Sequence, residues 1–368
     1  MRAAGRMLQP MLETAALPAG TTDPEPSLGD SFRELAASFD RAAAAAGLVE
    51  RRLRIAGEPV LLRFATQELS EQLGRAFDHL SGDGDEEPVL TLHAWDAEQS
   101  GTAAPPLPPV EEGRPRGATL FSDDGVHRLA FRPALGRLSA FDREGKTGWF
   151  WCRSGRELPF WERAVPFHQV LHWWLPTRGK LLVHAAAVGR TSGGLLLVGS
   201  GGSGKSTCAL SSLESPLLYA GDDYVAVDPG PTPHVFSLYC SGKLEPSHVQ
   251  ALPHLPPPTF AAEGTLEEKT VFYVSDRFGE RMCEGFPLAA IVAPRIHGTN
   301  PDFAPLGAAE ALAALAPSTL FQLVPANRQA LATMAGLLRR VPAYKLDVGG
   351  PSELLPGALE RLLDEVRH

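Results

Sequence analysis

Gly199-Ser-Gly-Gly-Ser-Gly-Lys205-Ser206-Thr207, preceded by the apolar run Leu195-Leu-Leu-Val198 and followed by Cys208-Ala-Leu-Ser-Ser-Leu213, decides how this chain is read. It fits G-x-x-x-x-G-K-[ST], a loop whose backbone N–H groups surround nucleotide phosphates. Glycines 199, 201, 202 and 204 let the backbone turn where a β-carbon would clash, so Gly199, Ser200, Gly201, Gly202, Ser203 and Gly204 can form an anion cradle. Lys205 supplies a point charge for the β- and γ-phosphates, and Ser206 a hydroxyl for Mg²⁺, a cation that takes oxygen ligands. Thr207 is read as the start of a helix whose N-terminal end also favours negative charge. Strand, loop and helix follow in the order such a motif requires.

Outward from the loop, Pro216-Leu-Leu-Tyr-Ala-Gly-Asp222-Asp223-Tyr-Val-Ala-Val-Asp228 is an apolar strand running into paired carboxylates. Acidic residues at a strand end beside such a loop can hold Mg²⁺ or accept a hydroxyl proton, although Gly-Asp-Asp is also good turn chemistry. Asp222 and Asp223 are therefore candidates for both roles, and the sequence does not say which is the base. On the other side, His184 sits in Leu181-Leu-Val-His-Ala-Ala-Ala-Val188, read as one strand; alone it would be a satisfied core histidine.

The order His184, apolar strand, Gly199 to Ser206, helix, apolar strand, Asp222-Asp223 resembles the P-loop domain of the HPr serine kinase/phosphorylase family, whose distant relatives include kinases found with peptide-modification genes. The resemblance covers roughly residues 165–350 and is best at 181–228. It implies a mixed sheet around the nucleotide, like that of phosphoenolpyruvate carboxykinase, with ATP and Mg²⁺ as cofactors. It also implies phosphate and metal binding at Lys205 and Ser206, metal-site and base roles for the aspartates, and a place in the active site for His184. Members of the family assemble into homo-oligomers. Residues 1–164 do not resemble the family's N-terminal domain.

The rest of the chain gives fewer signals. Its 368 residues are enough for about two domains. We read residues 1–30 as a disordered N-terminus, 31–164 as a smaller accessory α+β domain, and 165–368 as the α/β P-loop domain with a mixed sheet. A helix capped by Asp30 or Ser31 places Phe32, Leu35 and Phe39 on one face, and Gly47 stops it. Leu69, Leu73, Phe77 and Leu80 give a second apolar stripe. Residues 102–117, rich in proline, form an extended loop, and strand-like runs between 118 and 151 suggest an antiparallel meander. Trp149, Trp151, Trp161, Trp173 and Trp174 crowd the junction and are read as core. Val165 to Leu175 is read as a helix with Pro166 in its first turn. The runs at 181–188, 195–198, 217–219, 224–227, 235–239, 270–274 and 288–292 are assigned to one large sheet.

A net charge of −9 provides no general field for nucleic acid or an anionic membrane, and no apolar run approaches a membrane span. Residues 1–20 lack a continuous apolar segment, so we expect a cytoplasmic protein. Cys152, Cys208, Cys240 and Cys283 are widely separated and imply neither zinc nor a disulfide. Lys243, Lys269 and Arg295 could supply transition-state charge, although each taken singly reads better as an ordinary solvated charge, and Pro317-Ser-Thr319 is either a capping turn or an acceptor-side loop. The expected activity is transfer of the γ-phosphoryl of ATP to a hydroxyl, most simply a serine of a protein or peptide. The rival readings are a small-molecule kinase and a nucleotide-binding regulatory module with little turnover.

Overall fold

Alternation along the strands puts two different faces to work in each sheet of this α/β protein. The computed structural model describes residues 27–82, 84–110, 115, 117–259, 269–320, 322–326 and 328–366. The expected disorder of residues 1–26 and the expected conformation of residues 111–114 and 116 lie outside them. Residues 102–110 carry neither helix nor strand, as the prolines suggest.

The first helix, Leu28–Ala46, starts earlier than expected, so residues 28–30 are helical. Ser27 is the cap: its hydroxyl accepts the Asp30 N–H while the Asp30 carboxylate returns to the Ser27 N–H. This reciprocal pair satisfies two N–H groups that the helix cannot, and it places Asp30 in the first turn. Beneath the helix lies a seven-stranded sheet of β1 (Val49–Ile55), β2 (Glu58–Phe64), β3 (Leu90–Asp96), β4 (Leu120–Asp123), β5 (His127–Arg132), β6 (Arg137–Asp142) and β7 (Thr147–Cys152), in the order β1-β2-β3-β7-β6-β5-β4. β4 to β7 form the expected antiparallel meander, whereas β2, β3 and β7 run parallel. A parallel step needs a crossover. The helix Gln67–Gly74 and the 3-10 turn Arg75–Leu80 supply it between β2 and β3, burying Leu69, Leu73, Phe77 and Leu80.

The second sheet contains β8 (Leu181–Val183), β9 (Ala186–Arg190), β10 (Gly193–Leu197), β11 (Leu218–Gly221), β12 (Val225–Asp228), β13 (His234–Phe236), β16 (Gly285–Arg295), β17 (Asp302–Pro305) and β18 (Ala343–Asp347). It is mixed: β10, β16 and β18 are mutually parallel, and the other pairings are antiparallel. Leu195, Leu197, Ala290 and Val292 face the helices Lys205–Ser211 and Leu355–Glu365. Leu196, Val198 and Ile291 face the helices Ala308–Leu320 and Arg328–Leu338. Burial on both sides is why these strands read as unbroken apolar runs. The helix Leu355–Glu365 presents Leu355, Ala358, Leu359, Leu362 and Leu363 to this core, a single helical stripe.

Two strand assignments need correction. Residues 181–188 are two strands on different sides of the sheet, β8 paired with β12 and β9 with β10 and β11, and the chain breaks at His184 and Ala185. Apolarity alone could not show that break, because both pieces are buried. Residues 270–273 form β15, which pairs only with β14 (Ser241–Leu244) in a separate ribbon.

The two sheets share one core. Leu62, Phe64 and Phe150 of the first sheet and Phe77 of its crossover pack with Ala226 of the second sheet and with Leu238 and Tyr239, just after β13, through the helix His168–Trp174. That helix begins three residues later than expected. Phe167 takes the left-handed conformation, φ 59°, and Pro166 lies outside the helix. Of the five tryptophans at the junction, Trp149, Trp151, Trp173 and Trp174 are buried, but Trp161 is 38% exposed and is not core. Glu162 and Arg137 are an ion pair within the same seam, 1% and 3% exposed. Removing one member of such a pair typically costs about 3–5 kcal/mol, because the other charge stays buried.

Burial holds several histidines of the fold neutral, His79, His93, His168 and His172 among them. Burial pushes His79 down to about 3, and His93 and His172 down to about 4. Their unfolded pKa is about 6.5. Their contribution to stability is therefore complete above pH 6.5 and is lost as pH falls towards the folded values, by at most about 1.4 kcal/mol per group per pH unit. We expect the urea midpoint to be flat between pH 7 and 8 and to fall steadily between pH 6.5 and 4; a midpoint unchanged at pH 5 would show that these rings are not held neutral.

Candidate functional site

The loop from Gly199 to Gly204 connects the end of β10 to a helix that begins at Lys205, two residues before the expected start at Thr207. Gly204 has φ +103°, and a β-carbon there would lie 2.8 Å from Val348 Cγ2, so both conformation and space require glycine. Gly201 is different: nothing lies within 4 Å of an added β-carbon. Its missing side chain leaves the backbone open to close approach from outside. Ser203 Oγ is buried without a hydrogen-bond partner among the described residues. The Lys205 ammonium donates to the carbonyl oxygens of Gly199 (2.7 Å) and Ser200 (3.1 Å). Burial lowers its pKa, and the charges of Asp222 and Asp223 oppose that shift.

Asp222 and Asp223 follow β11 and point to different partners. Asp222, 2% exposed, accepts from Ser206 Oγ at 2.9 Å and from the Lys243 N–H at 3.1 Å. Asp223 has φ +75° and is the centre of a three-residue turn closed by the Tyr224 N–H on the Asp222 carbonyl, 3.0 Å. This geometry is rare and strained for a residue with a side chain. The Asp223 carboxylate meets His184 Nε2 at 3.0 Å and forms an ion pair with Lys243 Nζ. Burial alone would raise its pKa, but the Lys243 charge and the His184 bond hold it well below the usual carboxylate range. His184 Nδ1 is buried and unpartnered among the described residues, and its backbone N–H donates to Thr319 Oγ1 at 3.3 Å.

One cleft of about 490 Å³ collects His184, the residues Gly201 to Thr207, Asp222, Asp223 and Lys243. Gly199 and Ser200 reach the site through the Lys205 ammonium. The far wall comes from the ends of β16 and β18, with Ile296, Val348 and Pro351 exposing apolar surface. Lys243 is the residue that sequence reasoning misjudged. It is 8% exposed and touches both aspartates, so it is not a solvated charge. Its signal was Gly242: a β-carbon there would lie 2.6 Å from Leu210 Cδ2, so glycine lets β14 lie against the helix that begins at Lys205. Lys269 lines the cleft, whereas Arg295 is exposed and pairs with Asp347. Pro317 to Thr319 lie inside the helix Ala308–Leu320, in neither a turn nor a loop. All four cysteines are free, and burial pushes Cys208 up to about 12, in keeping with a packing role.

Ser206 Oγ, in the first turn of the helix, and the Asp222 carboxylate are bonded within the cleft, a donor set suited to a hard cation that keeps water and phosphate ligands. Among the described residues no group of three or more His, Cys, Asp or Glu could enclose a metal by itself. No described helix is long and apolar enough to cross a membrane. No protein-family model matches the chain, and a search of the curated proteins finds no match.

Proposed function

We propose that the chain is an ATP-dependent kinase of the HPr serine kinase type, with residues 199–207 as a P-loop, acting in the cytoplasm on a serine hydroxyl of a protein or peptide. The observation that carries this reading is the split acid pair: Asp222 is bonded to Ser206, Asp223 to His184, and both border the cleft above the glycine-rich loop. The backbone N–H groups at Gly201 to Gly204 surround the phosphates, and Lys205 exchanges its two carbonyl partners for phosphate oxygens. Ser206 and Asp222 would hold Mg²⁺, which when bound neutralises charge on the β- and γ-phosphoryl oxygens.

Asp223 is the residue we assign to the acceptor hydroxyl. Its low pKa makes it a weak proton acceptor, which suits a loose transition state in which the nucleophile loses its proton late and needs chiefly orientation. His184 and Lys243 fix the carboxylate's position. Incubating the full chain with ATP labelled at the γ-phosphate and serine-containing peptides tests the reading. Label on peptide serine is expected. Label on a metabolite would favour the small-molecule rival, and binding without transfer would favour the regulatory one.

A further inference from the structure

A second cleft, of about 650 Å³, lies between the first sheet and the segment that follows the helix Ala308–Leu320. Its walls include Arg128, Arg143, His172, Trp173, Pro325 and Gln329. Among the described residues no carboxylate lines it, although the chain carries a net charge of −9. Burial keeps His172 neutral at pH 7, so the positive charge is that of Arg143, together with Arg128, whose charge its Asp123 partner partly offsets. Arg143 is exposed; its backbone N–H donates to the Val126 carbonyl at 3.1 Å, and its guanidinium makes no hydrogen bond or ion pair among the described residues. Arg128 uses its Nε on Asp123, 3.0 Å away, which fixes the guanidinium and leaves its terminal NH₂ groups available.

From this geometry we propose that the second cleft binds an acidic peptide segment, the stretch by which the acceptor is recruited. Guanidinium groups pair with carboxylates through two parallel N–H bonds, and Trp173, Pro176 and Pro325 offer an apolar wall for a peptide backbone between charged side chains. In a chain this acidic, a carboxylate-rich segment is repelled from most of the surface, so a cationic cleft selects its own place of docking. The segment 322–326, which carries Pro325 and Ala326 of this cleft, is also bonded to the strand region beside the candidate site. Gln169 and Trp173 donate to the Val324 carbonyl at 2.7 and 2.6 Å, and Tyr224, next to Asp223, donates to Gln322 at 2.6 Å. Only the acceptor role of the segment rests on the kinase reading; the binding does not.

The test is fluorescence polarisation of a labelled oligoglutamate peptide with the full chain, without nucleotide. Saturable binding that weakens with added salt is expected, with Arg143→Glu lowering affinity about tenfold or more and Arg143→Lys largely restoring it. Lys205→Ala is expected to bind the peptide as wild type does. The proposal is overturned by absent binding, by equal affinity for oligolysine, by indifference to Arg143→Glu, or by loss of binding in Lys205→Ala, which would place the peptide at the glycine-rich loop. It is also overturned if tripolyphosphate binds in an Arg143-dependent way and the peptide does not. Failure here with intact Mg·ATP binding would leave the kinase reading untouched.

Discussion

Lys205→Ala is expected to weaken Mg·ATP binding by roughly a hundredfold, about 2.7 kcal/mol, through the loss of charge-assisted contacts to phosphate. The ammonium is held over the loop by the carbonyls of Gly199 and Ser200, within reach of whatever the loop surrounds. Alanine removes the charge and the two bonds it makes to the loop carbonyls, while the bond between Ser206 and Asp222 does not depend on it. Calorimetric titration measures the affinity, and the melting temperature with and without Mg·ATP gives a second reading, since a ligand that binds only the native state raises it. Wild-type affinity in the variant would remove Gly199 to Thr207 from the site.

The second large effect should come from Asp223→Asn. Phosphoryl transfer is expected to fall by about 10²–10⁴-fold, the usual contribution of a positioned acid or base, with Mg·ATP affinity changed only a few-fold. Asparagine keeps the size and tolerates the positive φ, but it cannot form the ion pair with Lys243. Asp222→Asn is the comparison: its partner is Ser206, so it should lose nucleotide affinity at limiting Mg²⁺ as well as rate. Single-turnover transfer and nucleotide titration separate the two patterns. Full activity in Asp223→Asn would take Asp223 out of the mechanism, and identical behaviour of both variants would undo the division of labour between them.

The sequence revealed those parts of the fold and site that are encoded locally. The run at 195–198, the loop, the helix after it and the strand before Asp222 are contiguous, so their types and order could be read directly. The stripe Leu69, Leu73, Phe77 and Leu80 likewise needed only periodicity. What could not be read depends on partners far away in sequence. That His184 ends β8 follows from β8 pairing with β12, more than 40 residues later. Lys243 resembles any surface lysine until β14 is seen beside the helix that begins at Lys205, with Gly242 making room. The opposed directions of Asp222 and Asp223 arise from a positive φ at a residue that is not glycine, which no pattern of residue types announces.

The apolar seam through the helix His168–Trp174 has a mechanical meaning. Close-packed interiors compress little and pass strain from neighbour to neighbour. Phe64, Phe77, Phe167 and Tyr239 make one continuous contact between the sheet that begins near residue 49 and the one that carries the cleft. A substitution that changes the thickness of the first sheet's side chains is therefore expected to be felt at the carboxylates as well as in the core.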